Sequence, residues 1–298
     1  MLPRTGLYGR SLISLRDFTA AEITGLLDLS MALKTAAKQG RADPYLPLLG
    51  RSLSMIFQKR STRTRVSTET AMTNLGGHAL FLSNEDIQLG SSESIKDTAR
   101  VLSRFNDCVL ARVGPHADIV ELDEESSVPV INALSDMYHP LQALADLVTM
   151  RERFGALEGR TLAWVGDGNN VLHSLMISCA KLGMDLRIAT PRGFEVCTST
   201  HLFFCLSLLL FTHYSFVTHL LFTRQADAEI TELTQSLAET SGASVLLTTD
   251  PGEALHSANV IVTDTWISMG QEEEKAERLK QFEGYQITRE RIENAGAR

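Results

Sequence analysis

Ser61-Thr62-Arg63-Thr64-Arg65 is the stretch whose reading decides the fold. An apolar run, Leu53-Ser54-Met55-Ile56-Phe57, precedes it and reads as a buried strand. Apolar and small residues from Val66 to Leu75 follow at helical spacing. Strand, short polar turn and helix is the layout that aims backbone N–H groups at an anion. Ser61, Thr62 and Thr64 add hydroxyl donors, and Arg63 adds a planar guanidinium fork suited to phosphate. The five residues predict a phosphate site built without a glycine-rich loop. They read equally well as a capped helix start with two solvent-facing arginines, because hydroxyl residues are ordinary N-caps.

On either side of this turn the chain alternates strand and helix patterns. Upstream, Thr19-Ala20-Ala21-Glu22 is a capping-box pattern ahead of Ile23, Leu26, Leu27, Leu29 and Leu33, which predicts a helix from about 20 to 38. Downstream, short apolar runs recur at Ala79–Leu82, Cys108–Val113 and Pro129–Ala133, with a helical pattern at Ser94–Phe105. A helix from 141 to about Phe154 ends at Gly155 and Gly159, which places a domain boundary between 154 and 155. Thr161–Val165 and Leu186–Ala189 then read as strands around a helix from Val171 to Leu182. The pattern resumes with a helix over Asp227–Glu239, a strand at Val245–Thr248, a short helix from Pro251, a strand at Val260–Thr263 and a helix over Glu272–Phe282. Alternation of this kind predicts an α/β protein of two domains, 1–154 and 155–298, each a parallel β-sheet flanked by helices.

Composition narrows the classes. A chain of 298 residues with 44% apolar content can build two cores. A net charge of −8 and no basic block argue against a nucleic-acid partner. Cys108, Cys179, Cys197 and Cys205 lack metal-ligand spacing and fit free thiols better than a disulfide frame.

Several polar residues fall where open α/β sheets bind ligands, at the carboxyl ends of strands. Arg112 closes the run Val109-Leu110-Ala111; the alternative is a strand-end arginine in solvent. His139-Pro140-Leu141-Gln142 opens a helix with proline in its first turn, so His139 and Gln142 share a face. An imidazole beside an anion site can donate to a carbonyl oxygen, and a surface histidine explains it as simply. Gln88 and Glu93 lie in a polar loop, Asn84 to Ser94, and read as solvated. Gly166-Asp167-Gly168-Asn169-Asn170 resembles the opening of a dinucleotide fold but lacks the third glycine of that fingerprint. Asp264-Thr265-Trp266-Ile267-Ser268-Met269-Gly270 puts an acid and a hydroxyl after a strand. That arrangement suits an ammonium group, or equally an acidic cap on the following helix.

One segment breaks the pattern. His201 to Phe222 is mostly Leu, Phe, Ser, Thr and His, with no acid or base, and is long enough to cross a bilayer. Its three histidines and several hydroxyls make a membrane span the weaker reading. It stands where a connection of a few residues is expected.

Taken together, Ser-Thr-Arg-Thr-Arg at 61–65, His-Pro-x-Gln at 139–142 and Asp-x-x-x-Ser-Met-Gly at 264–270 resemble the ornithine carbamoyltransferases, over roughly 7–195 and 226–291. The first two motifs are shared with aspartate carbamoyltransferase; Ser-Met-Gly after Asp264, with Asn170, separates the two. Gly-Gln-Glu-Glu-Glu-Lys at 270–275 is similar to the animal mitochondrial form. The resemblance implies transfer of a carbamoyl group from carbamoyl phosphate to the δ-amine of L-ornithine, giving citrulline and phosphate, in a homotrimer of the mitochondrial matrix. It implies carbamoyl phosphate held by Ser61, Thr62, Arg63, Thr64, Arg112, His139 and Gln142, with Gln88 on the loop lent to a neighbouring subunit. It implies ornithine held by Asn170, Asp264, Ser268 and Met269. Arg112 and His139 would act on the reacting carbonyl. No metal or redox cofactor is implied.

Two departures qualify the expectation. The family carries a His-Cys-Leu-Pro segment and further helices beyond the equivalent of Arg298. Val196 to Gln225 interrupts the family spacing; valine codons begin GT and glutamine can be CAG, which are the ends of a retained intron. Both departures lead to the expectation of an impaired or inactive chain, with a catalytically dead subunit that binds carbamoyl phosphate, or a mis-spliced product, as the alternative.

Overall fold

The computed structural model describes residues 6–39, 45–87, 93–192, 194, 214–266 and 275–296, with backbone alone at 214–227 and 277. The chain divides into two compact units, Met1–Thr149 and Met150–Arg298.

In the first unit the order is α1 (Ala20–Gln39), β1 (Ser52–Phe57), α2 (Thr62–Asn74), β2 (His78–Ser83), α3 (Ile95–Phe105), β3 (Cys108–Arg112), α4 (His116–Glu125), β4 (Val130–Leu134) and the start of α5 (Pro140–Phe154). The capping box before α1 forms as its residues predict: Thr19 N donates to Glu22 Oε2 at 2.8 Å and Glu22 N donates to Thr19 Oγ1 at 3.2 Å. Ser94 caps α3 by accepting from Asp97 N at 3.0 Å. Gly155, at φ 74, lets the chain leave α5 in the left-handed region.

The sheet is parallel, in the order β2-β1-β3-β4. In its central strand β1 every residue from Leu53 to Phe57 is buried, because both its faces are covered. Leu53, Met55 and Phe57 pack with Leu110 and Ala133 on one face. Ile56 packs on the other with Ala99, Val109, Ala111, Ile119 and Leu122. A short segment ahead of α1 lies along β4: Leu12 N donates to Val130 O at 2.8 Å, and Asn132 N donates to Leu12 O at 2.9 Å.

In the second unit the order is β5 (Thr161–Val165), α6 (Asn170–Lys181), β6 (Asp185–Ala189), α7 (Tyr214–Ser241), β7 (Val245–Thr248), α8 (Pro251–Leu255), β8 (Val260–Val262), α9 (Lys275–Gln281) and α10 (Arg289–Asn294). This sheet is also parallel, in the order β7-β6-β5-β8. All of β5 is buried, as is nearly all of α6. The α/β class, with a parallel sheet in each of two units, is as the sequence predicts.

Helix α7 differs from expectation. The helical pattern begins at Asp227, yet the helix runs from Tyr214. Nothing between Tyr214 and Ser241 stops it, since the stretch contains neither glycine nor proline. The rest of the atypical segment, 196–213, lies outside the described residues. Among the described residues no helix is long and apolar enough to cross a membrane.

In both sheets the first strand has neighbours on either side reached in opposite directions, β2 and β3 about β1, and β6 and β8 about β5. The crevice beyond the carboxyl end of such a strand is where this architecture binds ligands.

Candidate functional site

The first cluster grows from the carboxyl ends of β1 and β3. Phe57 and Arg112 are register partners at those ends. Ser61 is the N-cap of α2: its Oγ accepts from Thr64 N at 3.3 Å and donates to Thr64 Oγ1 at 3.0 Å. Thr62, Arg63 and Thr64 form the first turn, so the free N–H groups of α2 and three hydroxyls sit together. The cap therefore lies at the same helix start whose N–H groups suit an anion. Arg65 turns away, its guanidinium 3.5 Å from the Phe81 ring centroid and bonded to Glu69 at 3.1 Å.

Arg112 is buried, and its Nε makes no hydrogen bond among the described residues. Burial and then the neighbouring Arg63 charge both lower its pKa. Arg112 thus feels the charge of Arg63 from the first turn of α2, and two like charges acting on one another favour an anion nearby. The register of β3 against β4 shifts between Ala111 and Arg112, which re-aims the arginine at the strand end.

His139 enters from the turn after β4. That turn is tightly made: Ser135 N donates to Tyr138 O at 2.9 Å, and Tyr138 N donates to Ser135 Oγ at 3.2 Å. Burial, and secondarily the Arg112 charge, push the His139 pKa down to about 4. Near neutral pH the imidazole is therefore uncharged and still has one N–H to donate. Gln142 lies in the first turn of α5, exposed, with Nε2 donating to Asp146 Oδ1 at 2.8 Å.

The second cluster lies beyond β5 and β8 in the other unit. Asn169 caps α6, its Oδ1 accepting from Val171 N at 3.0 Å and Leu172 N at 3.1 Å. Its Nδ2 donates to Asp264 Oδ2 at 3.0 Å, while Thr265 N donates to Asp264 Oδ1 at 2.7 Å. The half-buried Asp264 carboxylate is thereby oriented from both oxygens. The next described helix begins at Lys275, and 267–274 lie outside the described residues. Asn170 is the first residue of α6, beside this pair. Nearby, Arg278 of α9 pairs with Asp167 at 2.8 Å and donates to Trp266 O at 3.3 Å. Gln88, Ser268 and Met269 lie outside the described residues. Among the described residues no group of three or more His, Cys, Asp or Glu side chains could hold a metal ion.

Sequence reasoning singles out Ser61, Arg63, Arg112, His139 and Asp264 because each stands beside a strand end or helix start. It misses Asn169, although an asparagine ahead of a helical run is an ordinary cap signal. It also misses Asp167 and Arg278, which are 111 residues apart and joined only by the fold.

Residues 10–152 match the model of the aspartate/ornithine carbamoyltransferase carbamoyl-P binding domain, and residues 158–298 match the Asp/Orn binding domain of the same family. The chain is 50% identical over 292 residues to ornithine transcarbamylase, mitochondrial, of Gallus gallus, covering 98% of this chain and 73% of that protein. It is 46% identical over 281 residues to ornithine carbamoyltransferase of Halalkalibacterium halodurans, covering 94% and 78%. Among solved structures, ornithine carbamoyltransferase from Pyrococcus furiosus superposes with a TM-score of 0.83 at 44% identity, over 97% of this chain and 82% of that one. The expectation of an impaired chain finds no support in these matches.

Proposed function

The chain belongs to the aspartate/ornithine carbamoyltransferase family, and we propose that it transfers the carbamoyl group of carbamoyl phosphate to the δ-amine of L-ornithine, giving L-citrulline and phosphate. The observation that carries this reading is the buried Arg112 at the end of β3, which feels the charge of Arg63 in the first turn of α2 and helps keep His139 uncharged.

Each group has a task in the reaction. Ser61, Thr62, Thr64 and the α2 amides take the phosphate oxygens, and Arg63 supplies charge to them. Attack by the amine nitrogen on the carbamoyl carbon forms the new C–N bond and moves charge onto the carbonyl oxygen. Arg112, Thr64 and His139 donate to that oxygen as the charge develops. The C–O bond to phosphate then breaks, the nitrogen loses a proton, and phosphate leaves with the electron pair. A neutral His139 donates without adding a third positive charge beside the two arginines. Gln142 and Gln88 complete the carbamoyl phosphate contacts.

Asp264 favours a diamino acid over aspartate, because an oriented carboxylate pairs with an ammonium and repels a second carboxylate. Asn170, Ser268 and Met269 complete this subsite in our reading. The assembly we propose is a homotrimer. Helix α2 has no buried residue in the single chain and Val66 is 56% exposed, which supports a neighbouring subunit there. The similarity to mitochondrial relatives supports a matrix location.

The test is a citrulline assay on the full chain with carbamoyl phosphate and either ornithine or aspartate. Citrulline formation is the expected result; carbamoylation of aspartate in preference to ornithine overturns the substrate assignment.

A further inference from the structure

We propose that Gln58 is a positioning residue for the carbamoyl phosphate site, locking the turn between β3 and α4 so that Arg112 and His139 keep their places. The proposal rests on the functional reading above. Gln58 follows β1 and leads into the Ser61 turn. Its backbone N donates to Arg112 O at 2.9 Å. Its side chain reaches across in the same direction: Gly114 N donates to Oε1 at 2.8 Å, and Nε2 donates to Asp118 Oδ2 at 3.2 Å.

The Gly114 peptide passes this hold on. Its carbonyl accepts from Asp136 N at 2.9 Å, and Asp136 Oδ1 accepts from His116 N at 2.8 Å. His116 Nδ1 in turn lies 2.9 Å from Ser135 Oγ, the hydroxyl that closes the turn before His139. One glutamine therefore stitches the strand end carrying Arg112 to the loop carrying His139. On the opposite side, Asn84 Nδ2 donates to Gln58 O at 3.4 Å.

The amide chemistry fits the place. One arm must accept from a backbone N–H while the other donates to a carboxylate, and an amide side chain alone does both. Glutamate at this position keeps the Gly114 bond and loses the donation to Asp118. Methionine, of similar length, loses both.

The experiment measures KM for carbamoyl phosphate and for ornithine with the full chain. It also measures binding of phosphonoacetamide, in which a methylene replaces the bridging oxygen, by calorimetry. Gln58→Met is expected to raise KM for carbamoyl phosphate at least about tenfold, the effect of losing one or two net hydrogen bonds. It should leave KM for ornithine within about twofold, a split that a general loss of stability does not produce. Gln58→Glu, which keeps the Gly114 bond but sets a carboxylate against Asp118, should also raise KM for carbamoyl phosphate. An unaltered KM in Gln58→Met, or an equal rise in KM for both substrates, overturns the proposal. If Gln58→Met does not fold, Asp118→Ala carries the test, with KM for carbamoyl phosphate raised a few-fold and an unchanged KM overturning the inference. Failure of the wild-type chain to bind phosphonoacetamide sinks the functional reading itself, whereas wild-type binding insensitive to Gln58 sinks only this inference.

Discussion

At the scale of single residues, Arg63 and His139 make separable predictions. Arg63→Ala removes a charge-assisted donor worth about 1.5–3 kcal/mol, so phosphonoacetamide affinity should fall roughly ten- to hundredfold. Equal affinity in calorimetry would remove Arg63 from the site. His139 has a folded pKa of about 4 against an ordinary 6.5. The unfolded chain then binds the proton more readily than the folded one. The stability this confers is complete above pH 6.5 and is lost as pH falls from 6.5 toward 4, at up to about 1.4 kcal/mol per pH unit. His116, whose pKa burial also lowers, acts in the same sense. Urea midpoints measured from pH 7.5 to 5 should therefore fall with pH, and less so in His139→Gln. The acid limb of kcat should not show an inflection at 6.5 from this group. Arg112 and His139 were legible in the sequence because polar residues closing apolar runs are conspicuous. The depressed pKa of His139 was not, because it depends on burial and on an arginine 27 positions away in the chain.

At the scale of elements, the proposed site makes the N-terminus of α2 serve both support and binding. Ser61→Ala should cost about 0.5–2 kcal/mol of stability through the lost cap, in addition to its effect on the ligand. Thermal melts without ligand isolate the first part, and an unchanged melting temperature would show that the cap bonds carry no weight. Helix α7 makes a second prediction. Its described side chains begin at Ala228, and among them Ala228, Ile230, Thr231, Thr234 and Ala238 are buried. Deleting 196–225 should therefore leave the packed part of the helix in place. The melting temperature should stay level or rise, and a drop of ten degrees would show that the segment supports the fold. Most strands and helices were legible because apolar periodicity is local. The start of α7 was not, because its first turns carry no amphipathic stripe to announce them.

At the scale of the molecule, the two sheets repeat one plan, with a polar cluster beyond a central strand in each unit. Loss of one cluster should spare the other. Asp264→Ala should raise KM for ornithine while leaving phosphonoacetamide affinity within about twofold, and parallel loss of both would refute the division of labour. The parallel α/β class could be read from alternation alone. The tie between Asn169 and Asp264 could not, since residues 95 apart leave no joint signal in a single sequence.

The segment ahead of α1 that lies along β4 has a consequence for synthesis. Ser11 and Val130 are bonded across 119 positions, so Ser11 has no partner until β4 leaves the ribosome. At about 5–20 residues per second, that wait is on the order of ten seconds. Although made well before β4, residues 11–13 are thus among the last of their domain to settle. Until then the backbone groups of 11–13 stay unpaired, and that interval is when a nascent first domain is most open to chaperones and to pairing with another unfinished chain.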